Sequence, residues 1–66
     1  MNMDSIKGKW KQMVGDAKKN FGEFTDDELL QMEGDRDKFI GKVQEKYGVE
    51  KEEASKRVDE FLKKHN

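Results

Sequence analysis

Few side chains in this sequence are equipped for covalent chemistry. The hydroxyl candidates are Ser5, Thr25 and Ser55, with the phenol of Tyr47, and the sole histidine is His65, next to the last residue. A hydroxyl attacks at neutral pH only with a base at its side, and a single terminal imidazole is a poor base for any of these. The sequence has no cysteine, which removes thiolate metal sites and disulfides together. Carboxylates are abundant, and Asp26-Asp27-Glu28 is the densest run. It reads as negative charge at a helix N-terminus, where the macrodipole favours it. The rival reading, a weak divalent-cation site, lacks the alternating oxygen ligands and central glycine of a calcium loop. No phosphate loop or dinucleotide fingerprint is present. No catalytic, cofactor-binding or metal-binding residue is assigned, and the chain is read as a non-enzyme.

The remaining chemistry is charge. Charged residues make up 44% of the sequence, yet the net charge is −1. Residues 1–20 carry Lys7, Lys9, Lys11, Lys18 and Lys19 against Asp4 and Asp16, locally +3. Residues 23–37 carry seven acids against Arg36, locally −6. Phosphate recognition needs one coherent basic face, and this is a dipolar surface with an acidic middle. The stretches Gly22-Glu23-Phe24 and Gly48-Val49-Glu50 also lack a Gly-x-Gly backbone clamp. A nucleic-acid-binding module using the lysines of the first helix is therefore kept only as the alternative to a protein-interaction module.

The elements that must position these groups are helices. All six glycines fall into two sets, Gly8, Gly15, Gly22 and Gly34, Gly41, Gly48, each spaced by seven and offset by 26. Apolar positions follow the same offset: Ile6 with Met32, Met13 with Phe39, Val14 with Ile40, Ala17 with Val43 and Phe21 with Tyr47. Trp10 paired with Arg36 breaks the pattern. Self-similarity of this kind marks a repeated supersecondary unit. Ile6, Trp10, Met13, Val14, Ala17 and Phe21 recur at three- and four-residue steps, as do Phe39, Ile40, Val43 and Tyr47, so each set forms one apolar helical stripe. That places Trp10 in the core.

Gly22 and Gly48 are expected as left-handed C-caps, a conformation glycine enters without a Cβ penalty. Phe24-Thr25-Asp26-Asp27-Glu28-Leu29 reads as a helix start, with Thr25 as N-cap, Glu28 closing a capping box and Phe24 stapled onto Leu29. Val49-Glu50-Lys51-Glu52-Glu53-Ala54 repeats this layout at an offset of 25, with Glu50 a poor N-cap. Ala54, Val58, Phe61 and Leu62 form the last apolar stripe. Four helices are predicted, over 4–21, 25–33, 35–47 and 50–64. The short connections leave two helical hairpins whose apolar faces meet. The expected fold is all-α, a four-helix bundle of two hairpins with an approximate internal repeat.

A domain of 66 residues is expected to hold only about 3–5 kcal/mol of net stability. With a mean hydropathy of −1.21, disorder is a competing reading, against which stand the periodic apolar positions and the absence of proline. Gly8, Gly15 and Gly41 fall inside helices, where each costs roughly 0.8–1 kcal/mol relative to alanine. Three explanations compete: close helix crossings within the fold, simple tolerance in a marginal domain, or a flat strip where another chain docks. No apolar run in residues 1–20 exceeds two residues, so neither a signal peptide nor a membrane span is predicted. The default compartment is the cytoplasm.

Taken in order, Trp10-Lys11-Gln12, Gly15, Gly22, Phe24-Thr25-Asp26-Asp27, Glu33-Gly34-x-Arg36-Asp37, Gly41-x-Val43-x-Glu45 and Tyr47-Gly48 resemble the CsbD-like bacterial general stress proteins. The resemblance runs over residues 6–62, and residues 1–66 are read as a single CsbD-like domain. It implies two roughly orthogonal helical hairpins, as in SAM-domain-like folds, and a small cytoplasmic protein made under general stress. It brings no catalytic residues. The expected function is a non-enzymatic stress-response protein, protective or protein-interacting, with an unknown protein partner or client, as a monomer or weak homo-oligomer.

Overall fold

The computed structural model of the protein describes residues 3–65, with side chains from Ile6 onward. Ser5 and Asp4, weighed above for their side chains, therefore lie outside the described side chains. The chain forms four α-helices: α1 Met3–Asn20, α2 Asp26–Met32, α3 Arg36–Tyr47 and α4 Lys51–Lys64. The predicted helices differ from these only at their ends. Thr25, Asp35 and Glu50 are the extended N-cap residues of α2, α3 and α4, and Glu33 is the C-cap of α2.

The hairpins are α1–α2 and α3–α4, and α1 also meets α4. The Cα radius of gyration is 10.6 Å, close to the roughly 11 Å of a packed chain of this length, so the periodic apolar positions prevail over the disordered reading. Every buried side chain among the described residues is apolar. The two predicted stripes and the α4 stripe close on one another, and Phe24, Leu29 and Met32 complete a single cluster. Aromatic rings hold its centre. Phe21 meets Phe24, Phe39, Tyr47 and Phe61 at centroid distances of 6.2, 4.9, 6.3 and 5.7 Å, within the range in which edge-to-face pairs add to burial.

Two expectations about glycine are corrected. Gly22 is not a left-handed cap. The Phe21 N–H still bonds Ala17 O at 2.7 Å, and the Phe24 N–H bonds Phe21 O at 3.1 Å, so the chain leaves α1 through a tight turn. Asn20 Nδ2 donates to Asp16 O at 2.9 Å and occupies one of the carbonyls near the helix end. Gly48, by contrast, caps α3 with φ +63°.

The close crossing is also elsewhere than at Gly8, Gly15 and Gly41. A Cβ built on any of these three would meet nothing within 4 Å, and all three are exposed. The tight approach is at Gly34, the one buried glycine among the described residues. Its φ is +76°, and a Cβ there would lie 3.1 Å from Lys7 Cα and 3.3 Å from Lys7 N. The α2–α3 turn is thus pressed against the backbone of α1. Glu33 before it also has a positive φ, 54°, so two consecutive left-handed residues reverse the chain between α2 and α3.

Candidate functional site

Several of the side chains first considered for chemistry have structural partners. Thr25 Oγ1 accepts from the Glu28 N–H at 3.1 Å, and Glu28 Oε1 accepts from the Thr25 N–H at 2.9 Å. This is the predicted capping box. The other Glu28 oxygen lies 2.6 Å from Lys46 Nζ on α3. The Lys46 ammonium, and then the Thr25 N–H, hold the Glu28 carboxyl below its ordinary range. Asp26 pairs with Lys18 of α1 at 3.1 Å. Two of the three carboxylates in the acidic run are thus engaged in joining α2 to α1 and α3. Among the described residues, no three His, Cys, Asp or Glu side chains converge on a point that would hold a metal ion.

Tyr47 Oη accepts from the Glu23 N–H at 3.3 Å, which ties the end of α3 to the α1–α2 turn. His65 packs against Phe61 at a tilt of 55°, with ring centroids 5.0 Å apart. Its Nε2 lies 3.0 Å from Asp16 Oδ2, yet out of line for a hydrogen bond. Ser55 sits half-buried on α4. These groups stand at different junctions of the bundle, and among the described residues no hydroxyl is hydrogen-bonded to the imidazole Nε2.

Two further ties were not foreseen. The Trp10 indole N–H donates to Leu29 O at 2.6 Å. Leu29 lies in the last turn of α2, where intrahelical donors run out and the Glu33 N–H goes to Leu30 O instead. Trp10 is therefore both core, as its place on the stripe predicts, and a cap for its partner helix. Arg36, at the equivalent repeat position, reaches Asp59 of α4 in a fork of 2.7 and 2.9 Å. This guanidinium holds Asp59 below its ordinary range, and Asp59 raises Arg36 in return. Arg57 does the same for Glu53 one turn away, lowering its carboxyl.

The lysines of α1 have different surroundings. Lys18 is paired with Asp26, and Lys9 Nζ donates to His65 O at 3.2 Å. Lys7 and Lys11 instead line a cavity of about 440 Å³ with Trp10, Leu30 and Lys38. Leu30 is the one large apolar side chain left exposed among the described residues, at 42%. A signal for it existed, since Leu30 stands beside the Leu29–Met32 stripe rather than on it. Lys38 is shared with a second cavity of about 520 Å³, which runs between α2 and α3 past Met32, Gly41 and Lys42. Leu30 borders the first cavity and Glu28, Gln31 and Met32 the second, so the two lie on different flanks of α2.

None of the described helices is long and apolar enough to cross a membrane. The sequence pattern of the CsbD-like family matches residues 4–56. The UPF0337 protein YjbJ of Escherichia coli O6:H1 (strain CFT073) is 46% identical over 66 residues, covering 100% of this chain and 96% of that protein. A UPF0337 protein of Pectobacterium atrosepticum is 48% identical over 65 residues, covering 98% and 94%. Another of Bordetella pertussis (strain Tohama I) is 50% identical over 62 residues, covering 94% of each chain. The pattern and these bacterial relatives agree with the motifs spread along the sequence, and the chain belongs to the CsbD-like family.

Proposed function

We propose that this protein is a non-enzymatic general stress protein that works by binding a protein partner or client. It acts in the cytoplasm, with residues 1–66 as one helical domain, as a monomer or weak homo-oligomer. Family membership supports the stress role. The observation that carries the non-enzymatic reading is the fate of the perturbed carboxylates. Shifted ionisation is a common mark of catalytic groups. Here Glu28, Asp59 and Glu53 are each shifted by a cation that joins helices or braces one, namely Lys46, Arg36 and Arg57. Their charge is spent in ion pairs at the surface of the bundle, while the apolar groups are gathered into one core beneath a highly charged surface.

The test is protection of a client. Purified protein at modest molar excess is expected to reduce aggregation of an enzyme that is heated or dried, measured by light scattering and recovered activity. An effect no greater than that of an inert protein at equal mass would remove the reading.

A further inference from the structure

We propose that the α2–α3 turn is a hinge through which two copies of this chain exchange hairpins, the turn giving way to one continuous helix over residues 26–47. The partner is a second copy, and the proposal goes beyond the client-binding reading above. The internal repeat carries it. At the offset of 26, helix α1 Met3–Asn20 corresponds to residues 29–46. Lys7-Gly8-Lys9 lies within the unbroken α1, whereas its counterpart Glu33-Gly34-Asp35 forms the turn. One pattern is thus present once as a continuous helix and once as an interrupted one.

The apolar register also runs through the turn. Leu29, Met32, Phe39 and Val43 are buried, and with Arg36 among them they step by three and four residues without a break. A helix over residues 26–47 keeps these five on one face. It also removes the reversal that folds α3–α4 back onto its own α1–α2, so each hairpin must pack on that of another copy.

Opposing forces act on the turn. Glu33 holds a φ of 54°, which residues with a Cβ adopt at a cost, and a helix relieves it. Three groups hold the turn closed. Gly34 accepts its φ of +76°, and Asp35 caps α3 at the Lys38 N–H. The Trp10 indole N–H donates to Leu29 O, the carbonyl that a continuous helix pairs with the Glu33 N–H. The single chain therefore rests closed. The ties between hairpins do not depend on which copy supplies them. Phe21 with Phe39 and Phe61, the Glu23 N–H with Tyr47, and Glu28 with Lys46 are all re-made across a two-fold exchanged dimer. Exchange of this kind is a low-cost route to a closed dimer, and short strained hinges invite it.

The test is refolding of the full chain from urea at micromolar and at millimolar concentration, read by size-exclusion chromatography with light scattering. A dimer is expected from the concentrated sample. Gly34→Ala removes the residue suited to the turn and supplies one suited to a helix, so it should raise the dimerisation constant by about tenfold or more. Asp35→Ala acts in the same direction without placing a Cβ against Lys7, and keeps the test open should Gly34→Ala fail to fold. Glu33→Gly relieves the turn and weakens the helix, and should lower the constant. Thr25→Ala loses a cap within a hairpin rather than between hairpins, and should dimerise as the wild type does. In dimers refolded from a mixture of two isotope-labelled pools, Phe21–Phe61 contacts should join differently labelled copies. Phe21–Phe61 contacts confined to one copy would overturn the proposal. So would a dimerisation constant that neither Gly34→Ala nor Asp35→Ala raises, or hinge variants that stay monomeric at millimolar concentration.

Discussion

Trp10 reaches from α1 to α2, and Arg36, its counterpart 26 residues later, reaches from α3 to α4. Each joins the two helices of its own hairpin, but by different means. Trp10 is 3% exposed, packs edge-on against Phe39 and caps a backbone carbonyl. Arg36 forms a fork with Asp59 at the surface, where both side chains are more than a third exposed. The hairpins also start their second helices differently. Thr25 closes a full capping box on α2, whereas Glu50 makes no side-chain bond to α4. The 7-residue α2 therefore relies on its ends and on Trp10, while the 14-residue α4 buries four apolar side chains and needs no cap of that quality. At the matching repeat position, one hairpin is thus tied by a buried side chain that satisfies a backbone carbonyl and the other by a screened ion pair.

The largest effect should come from removing the tie that is buried. Trp10→Ala is expected to destabilise by about 3–5 kcal/mol, the range for large aromatic truncations. That equals the whole expected stability of a domain this small, about 3–5 kcal/mol. Far-UV circular dichroism at 25 °C should show a largely unfolded chain. Arg36→Met should cost under about 1 kcal/mol, because its partner is solvent-exposed and screened. Similar losses from both would erase the distinction between the hairpins.

The glycines sharpen it next, since repeat mates should respond with opposite signs. Gly34→Ala forces a Cβ into a left-handed residue pressed on Lys7, a conformational cost of about 1–2 kcal/mol before any clash. Gly8→Ala, at the matching position, enters open space in a helix and should stabilise by roughly 0.8–1 kcal/mol. Thermal melts of the two variants side by side give the comparison, and equal signs would show that the repeat extends to backbone roles after all.

Smaller changes are expected at the caps. Thr25→Ala should lose about 1 kcal/mol, and Glu50→Ser should gain roughly 0.5 kcal/mol or more by supplying the missing acceptor. Urea midpoints at constant slope would read both. A destabilising Glu50→Ser would mean that α4 starts in a different way.

The smallest effect is with pH. The carboxyls of Glu28, Glu53 and Asp59 are lowered in the folded protein from ordinary values of 4.5, 4.5 and 3.8. A lowered folded value means stabilisation that is complete above the ordinary value and lost as pH falls through the folded one. Stability should therefore be nearly flat, as far as these groups are concerned, down to about pH 5 and decline below it. Glu28→Gln keeps an N3 side chain able to close the box but removes the charge facing Lys46. Its decline below pH 4.5 should be shallower than that of the wild type, measured as unfolding free energy against pH. An unchanged acid limb would place the sensitivity in the second hairpin, at Asp59 or Glu53.

The core was legible in the sequence because helical burial follows spacing. Each of Ile6, Met13, Ala17, Phe39, Val43, Val58 and Leu62 is buried where its stripe placed it. The Thr25–Glu28 box was legible because its partners are three residues apart and need nothing beyond the local turn. The first cavity was not. Lys7, Leu30 and Lys38 are on α1, α2 and α3, and only the packing of those helices brings them to one surface.

The sequence by itself determined four helices, the Thr25 capping box, the Gly48 cap, their apolar faces and the family. Periodicity and local hydrogen-bonding options are carried by neighbouring residues, so no distant contact is required to express them. The tertiary structure alone decided which glycine lies against another backbone, which carbonyl Trp10 satisfies, and where Arg36 finds its carboxylate. Those outcomes depend on which backbones meet and at what distance. Gly8 and Gly34 are identical residues at matching repeat positions, and only the approach of the α2–α3 turn to Lys7 makes one replaceable and the other necessary.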